Sequence, residues 1–338
     1  MFRNRIYWKC KLIVYNKNNI LIFKVYKCLC LLNNKIYALK EISKNKLEKY
    51  REIYNHLNEP NILKEFVNLN FLPNIISSFQ DYDNLYLVTN YFSGKTLYDY
   101  KDEIFSEEQI KFISACVIES LSYLREKKVI HRDVRMENLI LDENNYINLI
   151  DFSYSIIYSE KEDFKNFVLG NDFDNAPEIQ KQSKYDYNSD YYRIGGTIIY
   201  YLIFKKFYNN EKKKFKKNEF FINYLDNSRY SFSCIDFINK LIINDYKKRI
   251  GFQSINELKN HSFFQNFNWN DLKEKKINSP LNFRSKYFKK SKCLELKNNN
   301  TKFKMIFNNT LYKNLLDKYN YINEIIIKEI YKNIKINQ

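Results

Sequence analysis

Residues 129–154 read Val-Ile-His-Arg-Asp-Val-Arg-Met-Glu-Asn-Leu-Ile-Leu-Asp-Glu-Asn-Asn-Tyr-Ile-Asn-Leu-Ile-Asp-Phe-Ser-Tyr, and this stretch decides how the rest of the chain is read. Asp133 stands five residues before Asn138, and Asp151 follows thirteen later, at the end of the mostly apolar run Ile147 to Ile150. Phosphoryl transfer from Mg-ATP calls for these side-chain types. One carboxylate takes the proton of an attacking hydroxyl, while a second carboxylate and an amide oxygen hold hard cations on the phosphates.

The stretch resembles the catalytic and metal loops of eukaryotic protein kinases, whose signatures are H-R-D-L-x-x-x-N and D-F-G. Here they read H-R-D-V-R-M-E-N and D-F-S. The resemblance implies a two-lobed α+β fold, with a small mainly β lobe and a larger helical one, and ATP with Mg²⁺ (Mn²⁺ as an alternative) as cofactors. It makes Asp133 the base, Arg135 the cation in place of the usual lysine beside the transferred phosphate, and Asn138 and Asp151 the metal ligands. Arg135 keeps the charge but changes its shape. His131 is read as a packing residue, Phe152 as an apolar plug, and Ser153 as a stiffer substitute for the last glycine.

Upstream, residues 20–42 are rich in Ile, Leu, Val, Phe and Tyr and read as two strands and the start of a third, with Asn33-Asn34 as a turn. Tyr37-Ala38-Leu39-Lys40 resembles the V-A-I-K strand, which makes Lys40 the phosphate-binding lysine and Ala38 a wall of the adenine pocket. Glu59 lies nineteen residues on, where the family places the helical glutamate that pairs with it. By the same alignment Val25, Thr89, Asn90, Phe92 and Ile140 join the nucleotide-binding set. The glycine-rich loop is not recognisable: aligning on Val25 puts Asn18, Ile20 and Phe23 at the glycine positions, where side chains obstruct backbone approach to phosphates. Pro60 follows Glu59 directly. Either the helix is kinked there, at a cost of about 3 kcal/mol, or it starts near Asn58 with Pro60 in its first turn. Both versions leave the Lys40–Glu59 pair to be organised by a regulatory partner at this helix.

Downstream, Ser106-Glu-Glu-Gln109 reads as a capping box before a helix with Ile110, Ile113, Val117, Leu121 and Leu124 at helical spacing. Ala176-Pro177-Glu178 closes the activation segment, Arg249 is placed to pair with Glu178, and Asp190 with Gly195 resembles D-x-W-x-x-G. Between residues 230 and 283, Asp-Phe-Ile-Asn-Lys-Leu-Ile, Lys-Arg-Ile-Gly, Leu-Lys-Asn-His-Ser-Phe-Phe and the run from Phe267 to Pro280 resemble AGC-type serine/threonine kinases, the small YANK-like subgroup most of all. That implies protein substrates bearing Ser or Thr. The family's activating Thr is replaced by Phe167 and its substrate-seating Thr by Asn171. Without a hydroxyl at 167 there is no phosphate for Arg132, and either Asp163 or Glu162 serves instead or Arg132 goes without an acidic partner there. Of the acidic groove positions Glu137 survives, while Thr96 and Tyr200 fill two others. These departures keep a second reading open, a pseudokinase that serves as a binding or scaffold module.

The expected organisation is a small lobe over 1–89, a large lobe over 90–283, and a basic linker with a helical tail over 284–338. In the tail, Leu315, Tyr319, Ile322, Ile326, Ile330 and Ile334 form a stripe on a helix expected over 311–336, packing on its own kinase or a partner. The net charge of +17 is spread along the chain, so no specific nucleic acid is expected. The six cysteines make no C-x-x-C pair, and free thiols in a cytoplasmic protein are expected, with nuclear access left open. No signal-peptide layout, myristoylation glycine or membrane-spanning run is read.

Overall fold

The computed structural model describes residues 8–14, 23–30, 33–47, 50–158, 175–181, 186–195, 230–282 and 321–322. The chain divides into two compact units: the first takes in 1–68, 73–92 and 284–338, the second 69–72 and 93–283.

The first unit is built on an antiparallel sheet of order β1-β2-β3-β5-β4-β10. Its strands are β1 (Trp8–Val14), β2 (Phe23–Cys30), β3 (Ile36–Ser43), β4 (Ile75–Gln80), β5 (Asn84–Asn90) and β10 (Tyr321–Ile322). Alternation along the strands sends Tyr26, Cys28, Cys30, Tyr37, Leu39, Ile76 and Val88 into one apolar cluster, against which Phe79 and Tyr86 stack at 5.0 Å. A second cluster, Ile42, Leu47, Leu57 and Leu85 with Phe23 packed on it, joins the sheet to α1 (Tyr50–Lys64).

Three expectations are corrected here. Helix α1 runs through Pro60, so it does not start near Asn58. Ten residues precede Pro60 in the helix, and packing of Leu57, Ile62 and Leu63, all nearly fully buried, holds it against the missing hydrogen bond. Cys28 is disulfide-bonded, not a free thiol. Strand β1 was not foreseen, and its register sets Cys10 directly opposite Cys28. Cys30, Cys116 and Cys234 are free and buried, as expected. Within the segment read as a tail helix, Tyr321 and Ile322 form a strand that pairs with Ser78 and Ser77 on the outer edge of β4. An open edge offers unmatched backbone groups, and satisfying them outweighs the helical spacing of the side chains. The remaining stripe positions lie outside the described residues.

The second unit centres on α2 (Glu107–Glu126). Its start is as read: Ser106 Oγ accepts from the Gln109 N–H at 3.3 Å, and Gln109 Oε1 accepts from the Ser106 N–H at 2.9 Å. The helix is buried all round from Phe112 to Leu124, beyond the single stripe seen in the sequence. Two of its buried serines bond back to the helix, Ser114 to the Ile110 carbonyl and Ser120 to that of Cys116, and Ser120 also reaches the Phe71 carbonyl. Around it lie two short strand pairs, β6 (Val129–Ile130) with β9 (Ile156–Ile157) and β7 (Leu139–Leu141) with β8 (Ile147–Leu149). Further helices follow: α3 (Pro177–Gln180), α4 (Tyr187–Arg193), α5 (Phe232–Leu241), α6 (Asn256–Lys259) and α7 (Trp269–Lys273). Arg249 and Glu178 form a fully buried bidentate pair, at 2.7 and 2.9 Å, and Arg249 donates also to the carbonyls of Asn188 and Ile243.

Candidate active site

In the first unit the strand register gathers the residues read as nucleotide-binding. Val25 faces Lys40 across β2–β3, and Ala38 faces Thr89 across β3–β5. Opposite residues in an antiparallel pair share a face, so Val25, Ala38, Lys40 and Thr89 lie on one side of the sheet. Leu87, opposite Lys40, belongs with them and was not foreseen. Lys40 is nearly buried, and its ammonium reaches both oxygens of Glu59, at 2.9 and 3.2 Å. The pair is formed in the chain alone, without the partner expected to organise it. Phe23, at one of the missing-glycine positions, presents its ring 4.8 Å from the Lys40 ammonium. A cation over an aromatic face is attracted by the ring quadrupole, so Phe23 competes for the charge that phosphate would take. Asn18 and Ile20 lie outside the described residues. Asn90 turns its side chain away to fasten the start of β4, accepting from the Asn74 N–H at 2.7 Å, and Phe92 is buried at the end of the unit.

In the second unit the short hairpin β7–β8 does the placing. Leu139 pairs with Leu149, and the Ile150 N–H donates to the Asn138 carbonyl at 2.9 Å. Asn138 and Asp151 therefore emerge side by side at the open end of the hairpin. Ile140 sits within β7, with a bridge to Thr96. The Asn138 amide nitrogen is spent on Asp133, 2.7 Å from its Oδ2 and 2.9 Å from its carbonyl, which reserves the amide oxygen for a cation. Asp151 adopts φ 65°, a left-handed backbone uncommon outside glycine. The left-handed conformation falls there and not on Ser153, whose N–H instead donates to Asp151 Oδ1 at 3.4 Å.

His131 packs as read. It is fully buried, edge-on to Phe152 with centroids 4.9 Å apart. Its Nδ1 accepts from the Asp133 N–H, so Nε2 carries the proton and donates to the Ile150 carbonyl at 3.2 Å. Burial pulls its pKa down to about 4. Arg132 also has a left-handed backbone, φ 68°. Asp190 compensates by accepting the N–H groups of His131 and Arg132 at 2.8 and 3.0 Å. The Arg132 side chain is buried and donates to the Tyr154 carbonyl at 2.6 Å. Asp163, Glu162, Phe167 and Asn171 lie outside the described residues.

Asp133 is 8% exposed, and burial raises its carboxyl above the usual range, with Arg135 and then Arg193 pulling it back. Arg135 Nε lies 3.5 Å from Asp133 Oδ2 and 3.9 Å from Glu137. Arg193 was missed in the sequence. One arginine among 56 basic residues carries no local signal, and only the fold shows it buried beside Asp133. The arrangement as a whole can take a proton at Asp133 and offers oxygen ligands at Asn138 and Asp151. These suit a hard cation that fills its remaining positions with water and phosphate oxygens.

The protein kinase domain model matches residues 23–264. The chain belongs to the protein kinase family. Among similar proteins, a probable serine/threonine-protein kinase of Dictyostelium discoideum is 29% identical over 262 residues, covering 76% of this chain and 57% of that protein. Serine/threonine-protein kinase sgk-1 of Caenorhabditis elegans is 30% identical over 259 residues, covering 73% and 54%. Human Sgk2 is 28% identical over 251 residues, covering 73% and 68%. The likeness to Sgk proteins supports the AGC-type reading of this kinase chain. The chain spans a little over half the length of the first of these relatives. Among the described residues no helix is long and apolar enough to cross a membrane.

Proposed function

We propose that this protein kinase transfers the γ-phosphate of ATP to serine or threonine hydroxyls of proteins. Asp133 accepts the hydroxyl proton. Lys40, held by Glu59, takes the α/β-phosphates, and Arg135 offsets charge at the phosphate being moved. Asn138 and Asp151 hold the cation, Mg²⁺ with Mn²⁺ as the alternative. Val25, Ala38, Thr89, Phe92 and Ile140, with the backbone of Asn90, frame the adenine. The bound Mg-ATP supplies the phosphoryl group and the positive charge that screens its oxygens. The residues fit that group: Lys40 is a nearly buried cation beside an apolar sheet face, and the cation ligands are oxygens alone.

The observation that carries the reading is the grouping of Asp133, Asn138 and Asp151 at one hairpin end, with Asn138 oriented by Asp133. Phosphoamino-acid analysis after incubation with γ-labelled ATP and generic protein acceptors tests it. Label on serine and threonine is expected; label confined to tyrosine, or none, contradicts it. Absence of label together with retained nucleotide binding would move the chain to the pseudokinase reading, which the Phe23 ring against Lys40 favours.

A further inference from the structure

Arg193 closes α4 and is 3% exposed. A guanidinium so placed has lost its water and stays only where acceptors replace it. Its Nη2 donates to Asn175 Oδ1 at 2.6 Å, and its Nη1 lies 3.6 Å from Asp133 Oδ1. The other Asp133 oxygen belongs to its own loop, 2.7 Å from Asn138 Nδ2 and 3.5 Å from Arg135 Nε. The carboxylate is thus held from two sides. Asp190, three residues before Arg193, shares its helix face and accepts the N–H groups of His131 and Arg132. One face of α4 therefore fixes both the backbone and the side chain of the loop. Asn175 is fully buried and immediately precedes Ala176-Pro177-Glu178, the end of the segment that aligns with the family's activation segment.

We propose that Arg193 is a positioning residue for phosphoryl transfer: it sets the orientation of the Asp133 carboxylate and makes that orientation depend on the seating of Asn175. The inference rests on the kinase reading above. A planar guanidinium reaches two acceptors in a fixed fork, whereas an ammonium is a single point charge. The Arg193–Asn175 bond also needs no phosphate, in a chain that has Phe167 and Asn171 where the family carries threonines.

Steady-state transfer by the full chain, with Arg193→Met, Arg193→Lys and Asn175→Ala beside the wild type, tests the proposal. Arg193→Met is expected to lower kcat about tenfold to a hundredfold with KM for ATP within about twofold, the scale on which small misplacements act. Arg193→Lys should recover part of the loss, and Asn175→Ala should lower kcat by a smaller factor, again at constant KM. If Arg193→Met fails to fold, the other two variants decide. Unchanged kcat in Arg193→Lys and Asn175→Ala overturns the proposal. So does a loss that only follows the folded fraction measured by circular dichroism, which would make the role structural. A wild type that transfers nothing overturns the kinase reading and this inference together, whereas an active wild type matched by its variants overturns this inference alone.

Discussion

His131 Nδ1 accepts the Asp133 N–H only while the imidazole is neutral. Its folded pKa, about 4, lies below the ordinary value of 6.5, so the unfolded chain takes up this proton first as pH falls. The contribution is complete above pH 6.5 and is lost as pH falls toward 4, by about 3 kcal/mol at roughly 1.4 kcal/mol per pH unit. His131→Phe keeps the ring against Phe152 but cannot titrate. The stability advantage of wild type over this variant, from urea unfolding, should shrink steadily from pH 7 to pH 4; an advantage constant with pH would be contrary to this account. Lys40 gives a second prediction at this scale. Glu59→Gln removes the charge that holds the ammonium and leaves it beside the competing Phe23 ring. KM for ATP should rise about tenfold, as expected when a nearly buried charge pair loses one partner, and an unchanged KM would mean that Lys40 needs no such support.

At the scale of elements, what was legible in the sequence is what local spacing encodes. The Ser106–Gln109 cap reads directly because its partners are three residues apart. The order Asp133, Asn138, Asp151 reads directly because a tight loop and a short hairpin leave little freedom between them. What failed to read was non-local. Strand β1 declares itself only through its pairing with β2, so Cys10 and Cys28 look unrelated along the chain. Pro60 looks like a helix boundary until the packing around Leu57 and Ile62 is seen. Ile322 keeps helical spacing in the sequence with Tyr319 and Ile326, yet an open sheet edge takes the backbone of Tyr321 and Ile322. The disulfide at Cys28 gives this scale its prediction. Cys28→Ser should lower the stability of the folded chain by about 2–4 kcal/mol, the usual worth of a closed loop, read as a fall in Tm under non-reducing conditions. Under strong reductant the two proteins should come close together. Equal Tm values without reductant would show that the bond contributes nothing to the fold.

At the scale of the whole molecule, the kinase match covers residues 23–264 and begins at Phe23, the last of the positions where glycines are missing. The fold was legible because the anchors lie in the second unit, where Glu178–Arg249 and Asp190 fix the frame around the loop. The Phe23–Lys40 contact and Arg193 were not legible, since each depends on side chains brought together by folding. The central claim is that the frame still supports chemistry. The most direct test is the rate of γ-phosphate transfer by wild type, Asp133→Asn and Asp151→Asn at saturating Mg²⁺ and ATP. The account predicts transfer by the wild type and a loss of about a hundredfold or more in both variants, the scale of a removed general base or metal ligand. Equal rates in all three proteins, whether zero or not, would contradict it.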